Sequence, residues 1–127
     1  MRLTEELANY LENNFVGLIA AKNVFIESTP DLINDTVTLT EYKGDILGDG
    51  TYTAFRNIQI KVRNTDSLKA KELCTSIYLH FMDLYEIRLN DRFVLVKVLQ
   101  TPFKMSIDDK QRTSYVFNVR LTTDYRR

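Results

Sequence analysis

The sequence predicts an α+β fold, an antiparallel β-sheet with two main helices packed on one face. Three observations lead there. Two segments repeat apolar residues at the three-to-four spacing of a helix, and several others alternate apolar with polar residues as half-buried strands do. The segments come in the order helix, two or three strands, helix, two strands, and strands in such runs are joined most simply by hairpins. Only four glycines and two prolines interrupt 127 residues, so most of the chain belongs to regular elements. The length suits one domain spanning residues 1–127, and 44% hydrophobic with 27% charged residues is an ordinary globular balance.

The first helix is expected over residues 4–14. Thr4 is the candidate N-cap, and Glu5 and Glu6 follow in the first turn, where carboxylates meet the positive end of the helix dipole. Leu3 and Ala8 stand at staple positions, and Leu7, Tyr10, Leu11 and Phe15 recur at helical spacing. Residues 20–27, with Val24, Phe25 and Ile26, read as a strand, and Ser28-Thr29-Pro30-Asp31 as a turn. Residues 36–42 alternate Val37 and Leu39 against threonines. Residues 43–53 hold three of the four glycines and read as an exposed loop. Residues 55–63 place Ile58, Ile60 and Val62 on one side and Asn57, Gln59, Lys61 and Arg63 on the other, the pattern of a sheet with one wet face.

Asn64-Thr65-Asp66-Ser67 offers caps for a second helix over residues 67–86, whose stripe is Ala70, Leu73, Cys74, Ile77, Phe81, Leu84 and Tyr85. Ile58, Ile60, Val62, Leu73, Ile77 and Phe81 should share one core. Residues 93–99 are apolar on both faces apart from Lys97 and read as a central strand. Residues 105–112 are the expected connection to a last alternating strand over residues 115–122.

Composition excludes several function classes. Lys plus Arg and Asp plus Glu number 17 each, so the net charge is zero. A dedicated duplex-DNA binder carries a basic excess, whereas a neutral chain does little to discourage self-association. The single cysteine, Cys74, cannot form an internal disulfide. The first residues lack the apolar run of a signal peptide, and no stretch reaches the roughly 20 apolar residues of a membrane span, so the expectation is a soluble intracellular protein. His80 is the only histidine. It lies six residues after Cys74, about 120° away around a helix, so the two do not form a nucleophile pair. Two such residues are too few for a zinc site. Cys74 is expected in the core and His80 in a structural or solvated role.

The segment Gly44-Asp45-Ile46-Leu47-Gly48-Asp49-Gly50 lacks the Gly-Lys-Ser/Thr ending of a phosphate loop and the ligand series of a calcium loop. The adjacent carboxylates Glu5-Glu6 and Asp108-Asp109 do not converge on a point and are expected as solvated surface, Glu5-Glu6 also serving the helix start. No catalytic, metal or cofactor site emerges, so the expectation is a protein that works by binding other proteins. Tyr42, Tyr52, Tyr78 and Tyr125 lie off or beside the core faces, as interface residues or as scattered surface. Arg120, Arg126 and Arg127 could meet acidic groups of a partner or form a frayed end. The partner-binding candidates are Ile46, Leu47 and Tyr52 of the glycine-rich loop, with Tyr42 beside them.

One succession of segments resembles a known family. Residues 36–44 read Thr-Val-Thr-Leu-Thr-Glu-Tyr-Lys-Gly. After the glycine-rich loop come Phe-Arg-Asn-Ile-Gln-Ile-Lys-Val-Arg at 55–63 and Ala-Lys-Glu-Leu-Cys-Thr-Ser-Ile-Tyr at 70–78. This order, sharpest over residues 36–85, resembles the minor capsid or tail terminator (tail completion) proteins of long-tailed bacteriophages. The resemblance implies a virion structural protein, assembled in the host cytoplasm as a hexameric ring on the head-proximal end of the tail tube. Such a ring stops tube polymerisation, presents a surface to the head-tail connector protein and lets DNA through without gripping it. No family residue can be carried over as diagnostic. Two other readings stand beside it: another neck component such as a head-closure protein, and a small cellular ligand-binding or enzymatic domain, which would need a concave pocket with convergent polar groups.

Overall fold

The computed structural model describes residues 2–46, 53–90 and 92–124. The elements run α1 (Leu3–Asn14), β1 (Val24–Ile26), β2 (Thr36–Ile46), β3 (Thr53–Asn64), α2 (Ser67–Met82), β4 (Glu86–Leu89), β5 (Arg92–Val98), β6 (Phe103–Ile107) and β7 (Thr113–Asp124). The strands form one sheet in the order β1-β2-β3-β7-β5-β4, with β6 attached to β7.

β7 is the hub of the sheet. One edge pairs along its whole length with β3, from Thr53↔Asp124 to Asn64↔Thr113. The other edge is divided. β5 takes the later half, from Val98↔Val119 to Leu95↔Thr122. β6 takes the earlier half, from Phe103↔Val116 to Ile107↔Thr113. β5 and β6 therefore behave as one long strand broken at residues 99–102, where Pro102 brings no N–H to a ladder.

Both helices lie on one face, as the apolar periodicity predicts. Leu3, Leu7 and Leu11 of α1 share a core cluster with Ala70, Cys74, Ile77 and Phe81 of α2. Ile58, Ile60 and Val62 of β3 and Phe117, Val119 and Leu121 of β7 complete its centre, and Leu73 packs half-buried against it. The sheet is mixed rather than wholly antiparallel, because β1 runs parallel to β2 (Val24↔Val37 to Ile26↔Leu39). β1 is also shorter than expected. Ala21 and Glu27 have φ of 67° and 69°, left-handed values that end an extended segment on either side.

Other boundaries shift for local reasons. α1 starts at Leu3, so Thr4 is a buried helical residue and extended Arg2 occupies the cap position without a side-chain cap bond. α2 begins as expected, with Asp66 accepting from the Leu68 and Lys69 amides at 3.0 and 3.3 Å. It ends at Met82 rather than near Glu86, and the Leu84 amide turns back to the Phe81 carbonyl at 3.2 Å. Tyr85 is thereby 77% exposed instead of continuing the stripe, and Glu86 opens β4. β5 is not buried on both faces. Val94 and Val96 point into the core, while Phe93 and Leu95 lie on the face without helices, 65% and 37% exposed.

That second face is partly roofed by residues 28–35, so Arg63, expected in water, is buried. Its Nη2 donates to the carbonyls of Pro30, at 2.9 Å, and of Ile33. Arg112, only 2% exposed, donates through Nη1 to the Asp31 carbonyl at 2.7 Å. Its Nη2 reaches Asp31 Oδ1 and its Nε reaches Asp108 Oδ2, each at 2.8 Å. Lys110 Nζ meets Asp31 Oδ2 at 2.5 Å. Asp108 is thus part of a staple rather than solvated surface, and so is buried Glu6, whose Oε2 accepts from Arg92 Nη2 at 3.0 Å.

The staple should be sensitive to acid. Hydrogen bonds from Lys110 and then Arg112 hold the Asp31 carboxyl down to about 2, against an ordinary 3.8. A lowered folded-state value favours the folded state above the ordinary value, and that contribution is lost as pH falls through the lowered one. The urea midpoint should fall between pH 3.8 and about 2. Asp31→Asn should make the decline shallower, leaving the part due to Asp108, whose carboxyl is lowered by bonds from the Arg112 amide and guanidinium. An unchanged slope in the variant would contradict this assignment.

Candidate functional site

The groups that could carry chemistry are held in structural contacts. Cys74 is fully buried in the core, and burial pushes its thiol up to about 12, so it is a poor nucleophile at neutral pH. His80 faces α1 instead. Its Nε2 lies 2.6 Å from the Tyr10 hydroxyl, a bond whose donor depends on the imidazole tautomer. The rings of Phe15 and Phe81 pack against it at steep angles, with centroids 5.2 and 5.5 Å away. Among the described residues, no group of three or more His, Cys, Asp or Glu side chains could hold a metal ion.

A cavity of about 460 Å³ opens between the start of α1 and the strands, with Arg2, Glu27, Glu41, Arg56 and Arg92 on its wall. Its guanidinium groups already have carboxylate partners. Arg56 grips Glu41 with two bonds, Nε at 2.9 Å and Nη2 at 2.7 Å, Arg92 pairs with Glu6, and Arg2 pairs with Glu5. Glu27 Oε1 accepts the Glu41 amide at 3.2 Å. The Arg92–Glu6 pair ties the start of β5 to α1 and the Arg56–Glu41 pair ties β3 to β2, so each of these guanidinium groups is already engaged.

Two of the partner-binding candidates, Tyr42 and Ile46, lie on the later half of β2. β2 runs on to Ile46, which pairs with Ala54, so residues 43–46 are strand rather than loop. A register shift between Glu41 and Gly44 lets the hairpin extend. Tyr42 is 48% exposed beside that shift. Partial burial raises its phenol above the ordinary tyrosine range, opposed by the charge of Arg120. Arg120 itself stacks over Phe55 at 4.7 Å and donates to Asn57 at 3.3 Å. Leu47 and Tyr52 lie outside the described residues, as do Tyr125, Arg126 and Arg127. The structure therefore brings Tyr42 and Ile46 onto one strand and does not place the other two.

Sequence reasoning missed a surface. Every residue of β6 is exposed, and Phe103, Met105 and Ile107 are 46%, 51% and 52% exposed. Their alternation with Lys104 and Ser106 is a strand signal. It is short and lies between Pro102 and the pair Asp108-Asp109, which read together as a connection. Near the end of α2, Leu79, Met82 and Tyr85 are also exposed, at 52%, 53% and 77%. Large apolar side chains left in solvent at two places on one molecule are the mark of docking surfaces.

The family model for the bacteriophage tail terminator protein matches residues 10–125. No curated protein matches the sequence.

Proposed function

Because the chain belongs to the bacteriophage tail terminator family, we propose that it closes the tail by forming a ring, most simply a hexamer, on the head-proximal end of the tail tube. The family is one of structural, non-enzymatic components of the phage tail, associated with the tail tube. Among the described residues no helix is long and apolar enough to cross a membrane. In the proposed ring each copy makes head-to-tail contacts that close by rotation. The lower face stops addition of tube subunits, and the upper face receives the head-tail connector protein. DNA passes through the lumen without specific binding, in keeping with zero net charge. The observation that carries the reading is the family match over residues 10–125. The exposed apolar side chains of β6 and of the end of α2 support it.

The segment joining β2 to β3 is the proposed partner contact, with Ile46, Leu47 and Tyr52 as its residues and Tyr42 of β2 beside them. A standard protein–protein interface buries about 1,600 Å² in total, of which one such segment supplies a part.

The test is infection with phage lacking this protein. Overlong, headless tails beside filled heads are expected. Tails of normal length joined to heads would overturn the assignment. A milder test replaces Ile46 and Leu47 with Ser. Tails that still stop and join normally would remove this segment from the contact while leaving the ring intact.

A further inference from the structure

We propose that β6 of one copy pairs edge to edge with the outer edge of β2, residues 40–46, of a second copy, so that the sheet continues from subunit to subunit. The inference rests on the ring reading and names the contact that closes it.

The two edges differ, as a head-to-tail contact requires. β6 is the outermost strand beside the earlier half of β7, and among the described residues β7 is its one neighbour. On the opposite side of the sheet, β1 covers β2 only from Val37 to Leu39. Beyond Leu39 no described strand lies along the side of β2 away from β3. A five-residue strand thus has a seven-residue stretch (40–46) to pair with. Neither stretch has a neighbouring strand on that side, and unpaired sheet edges invite another strand. On β2 the Glu41 amide is held by Glu27 Oε1 at 3.2 Å, which leaves the edge beyond Glu41 for the incoming strand.

Side chains favour the same occupant. Phe103, Met105 and Ile107 are each about half exposed, far more apolar surface than a guarded edge strand carries. Lys104 and the register shift at Met105 discourage indiscriminate pairing, and they select an edge with a carboxylate close by. Lys104 makes no ion pair among the described residues. Neither does Glu27, which sits at the end of β1 with its amide on the Leu39 carbonyl at 2.9 Å, where the open stretch of β2 begins. A cation with no ion pair on one edge and, on the other, a carboxylate with no ion pair and one oxygen held by the Glu41 amide fit a second copy of this chain. Zero net charge leaves the approach of like subunits unopposed.

The experiment uses virions assembled with the double variant Tyr42→Cys/Met105→Cys, treated with a short bis-maleimide and resolved under denaturing conditions. Cys74 is buried and stays out of the reaction. A ladder of covalently joined copies is expected from the double variant, absent from either single variant. A dimer from Met105→Cys alone would mean that β6 meets β6, and an adduct with a different virion protein would mean that the edge holds another partner. Either result overturns the proposal. So does an uncrosslinked double variant in normal tails, and that result leaves the ring reading standing. Absence of the wild-type protein from virions would instead strike the ring reading itself. As a second measurement, Met105→Glu should fold, with an unchanged circular dichroism spectrum, and drop at least tenfold in incorporation into tails. Incorporation at the wild-type level would overturn the proposal.

Discussion

Phe81→Ala is expected to lower the free energy of unfolding by about 3–5 kcal/mol, read from urea denaturation. Phe81 is 1% exposed and sits where the two helices meet over the sheet. Its ring stacks on Tyr10 at 5.9 Å, and His80 packs edge-on against it at 5.5 Å. Removing the ring forfeits its transfer out of water and opens a void that α1, already pinned through Glu6 and Arg92, is poorly placed to fill. The denaturant dependence should stay as in the parent, because the surface exposed on unfolding changes little. Phe81→Leu, which keeps most of the volume, should cost less than about 1.5 kcal/mol. Equal costs for the two variants would show that packing at this junction is not what matters.

Arg63→Ala is expected to cost about 1.5–3 kcal/mol, the range for a hydrogen bond from a charged donor. The guanidinium is buried under residues 28–35 and satisfies the carbonyls of Pro30 and Ile33, which are left without that donor in the variant. Burial, and after it the nearby charge of Arg112, pulls the guanidinium below its ordinary value. Its Nε finds no partner among the described residues. Arg63 is therefore a costly group kept for the segment it holds down. Limited proteolysis should cut the variant within residues 28–35 while the core strands remain protected. A loss under about 0.5 kcal/mol, the range of ordinary surface changes, would mean that Asp31 and Arg112 hold the segment without it.

The elements most legible in the sequence were those with a long periodic signal. α2, β3 and β7 each carry several apolar residues at one spacing, and Ile58, Ile60, Val62, Ile77 and Phe81 are all buried in the expected cluster. The sequence also matched the tail terminator family in its element order, and the chain belongs to it. One histidine and one cysteine limit what a reactive constellation could combine. Of the partner-binding candidates, only Tyr42 has a described side chain, and it is half exposed.

What the sequence by itself determined, then, was the class of fold and most of the core stripe, because each depends on spacing along a few neighbouring residues, and the family, through the resemblance of the segments over residues 36–85. The tertiary structure alone decided which short segments became strands and which charges left water. β6 is a strand because β7 supplies its ladder, and β1 is parallel to β2 because residues 27–35 carry the chain back across the sheet. Buried Glu6 is held by Arg92, 86 positions away, and buried Arg112 by Asp31, 81 positions away. Backbone pairing and charge burial are settled by whatever the fold brings within about 3 Å, and hydrogen-bond partners so distant in the chain leave no periodic trace in it.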